Sequence, residues 1–237
     1  MLLTNLLVLG AALAQPRPHP LAPLQDAVKP AAVSTSREYK VGLTDNLKIT
    51  ITSDAFGSLK AVLKLEVTKA FPSGDADVLE TVSNVESTGQ LQGPSAPTRT
   101  IRLTTYGVLT NDAPAPKDLA TWAMFSVVLP NADRLGPKQF VSFERPLPGL
   151  GSATVKATAE LGQIVGDQVA FSVNGKVLNL FGDGGAPGEV TGALVWDSKA
   201  QHYVKGFYHV SGKDAQGKAF TVNFAFERFD PTATKSS

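Results

Sequence analysis

Gly212, Gly217 and Lys218 fall at the spacing of a phosphate-binding loop, in which backbone donors and a lysine grip a nucleotide. Ala219 stands where such a loop needs a hydroxyl for magnesium, and Phe220 to Phe226 alternate as a strand instead of opening a helix. The stretch reads as a hairpin loop. His202 and His209, seven apart on one strand, point to opposite faces, so a shared metal needs a bulge between them. Asp183 with Gly184-Gly185, and Asp75 with Asp77, lack the series of oxygens that calcium takes, and turn chemistry accounts for both. Ser152 in Gly-Leu-Gly-Ser has neither the second glycine nor the strand-to-helix setting of a nucleophile elbow. Glu144 and Arg145 read as a pair at a strand end, and 21 scattered acids single out no glycosidase dyad. With no cysteine there is no thiolate ligand, thiol nucleophile or disulfide. No catalytic residue, metal site or cofactor is expected.

The aromatic residues remain. Phe171, Phe181, Trp196, Phe207, Tyr208, Phe220, Phe224 and Phe226 concentrate after residue 170. Such a set reads first as core. A curved sheet with one covering helix can also turn part of it toward an apolar cavity. The pocket candidates are Trp122, Phe125, Phe171, Trp196, Tyr208, Phe220, Phe224 and Phe226.

The elements that must position these residues are mostly strands. Leu47, Ile49 and Ile51 alternate with polar neighbours, as do Leu59, Ala61, Leu63, Leu65 and Val67, the pattern of a sheet wet on one face. Asp54 to Ser58 reads as the hairpin turn between them, and Pro72 to Asp75 as the next break. Val78 to Leu91 and Thr98 to Leu109 continue as strands. Asp118 is placed to cap a helix carrying Leu119, Trp122, Phe125 and Leu129, with Pro130 as its stop. A strand over Ala123 to Leu129 competes, because Val127 and Val128 are β-branched; the helix is favoured.

Beyond a short strand at Phe140 to Phe143, Arg145 to Ser152 holds two prolines and two glycines and reads as loop. Ala153 to Leu161 and Gln168 to Val173 read as strands, and Asn174-Gly175 as a two-residue hairpin turn. After a glycine-rich loop over 181–188 come strands at Glu189 to Trp196, His202 to Val210 and Phe220 to Phe229. Gly192 and Gly206 inside strands mark close backbone approach. The fold expected is mainly β: a curved antiparallel meander, a partial barrel or half-barrel, with one inserted α-helix.

The 237 residues carry 22 basic against 21 acidic side chains, a net charge of +1, which offers nucleic acid no basic field. Residues 1–14 lack a charged side chain, and the run Leu6 to Leu13 followed by Ala12-Leu13-Ala14 reads as a cleaved signal peptide with Gln15 as the mature start. The run is too short to span a bilayer, so no transmembrane segment is expected in the mature chain. Residues 15–36, with five prolines, read as a flexible linker, 37–230 as one β-rich domain and 231–237 as a disordered tail. The expected location is periplasmic or extracellular.

The order of strands, central helix, Pro/Gly loop and closing meander, clearest from Phe140 to Phe229, resembles exported bacterial β-rich proteins of unknown function. More distantly it is similar to periplasmic half-barrel lipid carriers of the LolA and LppX kind. That resemblance implies a lipid-binding cavity and brings no catalytic residue. The leading expectation is a non-enzymatic envelope protein that binds an apolar, lipid-like ligand, or an envelope protein partner, through its curved sheet. A purely structural or assembly role is the alternative, and a hydrolase the third reading.

Overall fold

Period-two alternation carries most of the chain, and it builds one sheet. The computed structural model describes residues 32–232 apart from 111–120, 148–151, 181, 183 and 215. These residues form ten strands: β1 (Thr44–Ser53), β2 (Gly57–Ala70), β3 (Ala76–Gly89), β4 (Thr98–Leu103), β5 (Phe140–Pro146), β6 (Thr154–Val165), β7 (Gln168–Leu178), β8 (Gly188–Asp197), β9 (His202–Lys213) and β10 (Ala219–Arg228). One helix, α1 (Thr121–Ser126), lies between β4 and β5. Every pairing is antiparallel, in the order β4-β3-β2-β1-β10-β9-β8-β7-β6-β5, and the sheet is not closed. This is the expected mainly β meander with one inserted helix.

The sheet is bent around that helix. Eight strand intervals separate β3 from β5, roughly 38 Å on a flat sheet at ~4.8 Å per strand. Yet α1, six residues and only about 9 Å long, touches both. The amide of Thr121 donates to Oε1 of Glu80 on β3 (2.9 Å), and Nη1 of Arg145 on β5 donates to the carbonyl of Ser126 (2.9 Å). Both contacts can exist only if the strands curl toward each other. The inner face then holds the expected residues: Leu47, Ile49 and Ile51 of β1 are all buried, as are Leu59, Ala61, Leu63, Leu65 and Val67 of β2.

Several local expectations are corrected. Asn174-Gly175 is not a turn; β7 runs straight through it, pairing Gly175 with Ala157 and Asn174 with Thr158. The glycine serves close packing there, since a Cβ would lie 2.2 Å from the Lys156 carbonyl oxygen and 2.6 Å from Ala157 Cβ. The hairpin turns instead at Gly166-Asp167, where Gly166 adopts φ +60°, the positive angle a type II′ turn requires at its first central residue. Strand β5 continues to Pro146, so Arg145 belongs to a strand and not to a loop. Glu144 and Arg145 do not pair: adjacent strand residues face opposite ways, and Glu144 meets Lys156 on β6 at 3.0 Å. Strand β4 stops at Leu103, and Thr104 to Val108 form a turn closed by the Val108 carbonyl accepting from the Thr104 amide (2.7 Å).

The helix is shorter than its apolar spacing suggested. It ends at Ser126, and the β-branched pair Val127-Val128 continues in looser turns before Pro130. The Asp118 cap and Leu119 lie outside the described residues, as do the leader (1–14), the linker up to residue 31 and the tail from residue 233. The last residues of the expected linker belong to the domain. Val33 forms a bridge with Leu135, and buried Thr35 donates to the Pro130 carbonyl (2.8 Å) while accepting from the Ala132 amide (3.1 Å).

Candidate functional site

Four ties fix α1 inside the curve. Its first amide is held by Glu80, a carboxylate with no exposed surface. Burial pushes the pKa of Glu80 up, and the charge of Arg99, paired with it across the β3–β4 ladder, works against that rise. Trp122 donates from Nε1 to the carbonyl of Gly107 (3.0 Å). The hydroxyl of Tyr208, on β9, donates to the Met124 carbonyl, and burial drives its pKa far up, so it stays protonated and donating. At the far end the Arg145 guanidinium serves the carbonyls of Ser126 and Leu129 and the side-chain oxygen of Asn131. Burial lowers the Arg145 pKa to about 10, which still leaves it charged at neutral pH.

Aromatic packing sets the helix roll. The Phe125 ring meets Phe226 at 5.3 Å, Tyr208 at 6.2 Å and Phe224 at 6.3 Å, all edge-on. Trp122 meets Phe226 at 5.7 Å, and Tyr208 stacks on Phe224 at 4.5 Å.

Beside this cluster the helix and sheet do not meet. A cavity of about 330 Å³ opens between them, toward the strand ends that carry the β1–β2 and β9–β10 hairpins. Met124 of α1, with Val127 and Val128 just beyond its end, forms one wall. Val155, Val177, Val190, Val210, Val222 and Ile51 supply the sheet wall, with Tyr208, Phe220 and Phe224. Half-buried Phe56, Leu91, Leu147 and Leu180 form the rim. Among the described residues, Tyr208 brings the only polar side-chain group to the lining, and that hydroxyl is already engaged.

Of the eight aromatic candidates, Tyr208, Phe220 and Phe224 line this cavity. Trp122 and Phe125 of the helix pack onto Phe226 of β10, and Phe171 is buried on β7. Trp196 packs against Tyr203 (4.8 Å) and, with Trp122, borders a second small cavity at the opposite end of the sheet. The valines of the sheet wall and the leucines of the rim were not singled out from sequence. Alternation marks every inward position alike; only the reach of α1 decides which of them stay uncovered.

That opposite end is closed by charge. Asp45 accepts from both Nη atoms of Arg37 and from Arg228. Burial opposes its ionisation, but the two guanidinium groups more than offset this and hold its pKa below the usual range. His202 lines the same region, its pKa lowered to about 4 by burial and by Arg228.

The residues read for chemistry stay apart. His209 shares a 2.8 Å hydrogen bond with Asn223 on β10, far along β9 from His202. A bulge does occur in β9, at Val204, but it brings the two histidines no common partner. Gly212 closes β9, pairing with Phe220 on β10, and beyond it the Asp214 carboxylate accepts from the amides of Gln216 (2.9 Å) and Lys218 (2.8 Å) in the connection to β10. Asp77 is paired to Arg102 at 2.7 Å. Among the described residues no group of three or more His, Asp or Glu is placed to hold a metal ion, and no helix is long and apolar enough to cross a membrane. No protein-family model matches this chain, and no curated protein matches it.

Proposed function

We propose that the protein is a non-enzymatic binder of an apolar ligand, an acyl chain or a molecule of similar shape, held between α1 and the sheet. The supporting observation is the cavity itself: about 330 Å³, with no unpaired polar side chain among the described residues of its walls. That is roughly the volume of eleven liquid waters, within the range of small-ligand sites. At ~0.8 kcal/mol per buried methylene, ten methylenes contribute roughly 8 kcal/mol before the cost of ordering the chain. A polar head group finds no partner inside and stays at the rim. Among the described residues, the lining carries no convergent polar groups of the kind a hydrolase needs. The apolar run at residues 6–13 supports export before the ligand is met.

A structural or assembly role is the second reading. It draws on Phe140, 66% exposed on β5, which among the described residues is an outer strand of the sheet and so offers an edge for pairing with another chain.

The test is native mass spectrometry of protein purified without detergent, with uptake of a fluorescent fatty acid. The expected result is retained lipid or saturable uptake, and a variant Val222→Phe, which fills the cavity, should melt no lower than the parent while uptake falls at least about tenfold. A parent that carries nothing and takes up no fatty acid rejects the reading in favour of the second. Expression with the leader in a bacterium should yield an exported product beginning at Gln15, and an intact Met1 in the cytoplasm rejects export.

A further inference from the structure

The small cavity at the charged end of the sheet holds about 20 Å³, room for one water-sized group. Arg37, Arg228 and Trp196 all line it. Each carries a buried N–H with no hydrogen-bond partner: Nε of Arg37, Nε of Arg228 and Nε1 of Trp196. Trp196 is itself 2% exposed, so its indole N–H has no access to bulk water. The two guanidinium groups share a single hydrogen-bonded carboxylate, Asp45. His202 adds no acceptor charge, and its low pKa reports burial and the positive field of Arg228 and Arg37. Asp197 adds its negative charge to this region from outside the cluster, while its Oδ1 accepts from the amides of Lys199 (3.0 Å) and Ala200 (2.8 Å) in its own turn.

We infer that this cavity is a binding site for a monatomic anion of halide size, chloride under physiological conditions. A bound water accepts at most two hydrogen bonds. It would leave one of these three buried N–H groups unpaired. A chloride accepts from all three, and its charge strengthens each of these hydrogen bonds. The anion then serves as the counter-ion that joins the N-terminal segment, through Arg37, to β8 and β10, and its role is independent of the large cavity.

Two measurements on the purified full chain test this. Thermal unfolding is followed in sodium chloride, sodium bromide and sodium gluconate at equal ionic strength, and crystals grown in bromide are examined by anomalous diffraction. The expected results are a melting temperature that rises and saturates with either halide but not with gluconate, and a bromide peak in this cavity. Trp196→Phe keeps the ring and removes one donor; it should weaken bromide binding about tenfold, as loss of one hydrogen bond to a charged group does. Equal melting in the three salts, with water density and no bromide peak in the cavity, overturns the inference even if the variant fails to fold.

Discussion

Nη1 of Arg145 donates to the carbonyl oxygen of Ser126 at 2.9 Å, so an outer strand of the sheet holds the end of the helix that walls the cavity. The same guanidinium serves Leu129 and Asn131 and has no carboxylate partner among the described residues. Replacing it by methionine should destabilise the protein by about 3 kcal/mol, because the buried carbonyls of Ser126 and Leu129 lose a charged donor. Arg145→Lys should recover only part, since an ammonium cannot span the three acceptors with a planar fork. Urea midpoints of the three proteins check this.

Glu80 acts at the other end of the helix. Glu80→Gln keeps an oxygen for the Thr121 amide and should cost less than half the ~2 kcal/mol expected for Glu80→Leu, which leaves that amide unpaired. Burial raises the native pKa of Glu80, so its contribution is fully present below the unfolded value near pH 4.3 and declines as pH rises through the native value. Stability measured against pH should show that decline in the parent and lack it in the Gln variant.

Gly175 and Gly166 should respond in opposite order to what an Asn-Gly turn implies. Gly175→Val puts a side chain into the Lys156 carbonyl and should cost about 3 kcal/mol, whereas Asn174→Val on the exposed face should stay within about 0.5 kcal/mol. Gly166→Ala meets no neighbour within 4 Å and should cost only the ~1–2 kcal/mol of a positive φ. Equal effects at 174 and 175 would contradict the register.

His202 supplies the acid-side dependence. Its pKa of about 4 lies below the unfolded value near 6.5, so the unfolded chain binds its proton first. Stability from this group is present above pH 6.5 and is lost as pH falls toward 4. His202→Gln should flatten that slope, and an NMR titration of the imidazole should give its midpoint directly.

Strand positions were legible because burial on one face leaves a period of two, clear at Leu47, Ile49 and Ile51 and again from Leu59 to Val67. The short helix was legible from Trp122 and Phe125. The Asn174-Gly175 signal misled because local turn preference cannot register a neighbouring strand; Ala157 opposite the glycine is a tertiary fact. Arg145 was hidden for the same reason: its acceptors lie 14 to 19 residues away and become neighbours only when the sheet curls. The cavity depends on which inward valines α1 fails to reach, and no spacing in the chain encodes that.

The strand order has a consequence for how the chain reaches this state. Strands β1 to β4 pair only with their neighbours in sequence, as do β5 to β10, apart from one ladder, β1 with β10, which joins Leu47 to Arg228. Each half can assemble from consecutive hairpins, which form quickly because their loops are short. The joining ladder must bring together residues about 170 to 180 positions apart and is the slow, late event. Until then β1 and β10, apolar on their inner faces, each expose an unpaired edge, and it is there that a newly made chain is most vulnerable to sticking to another copy.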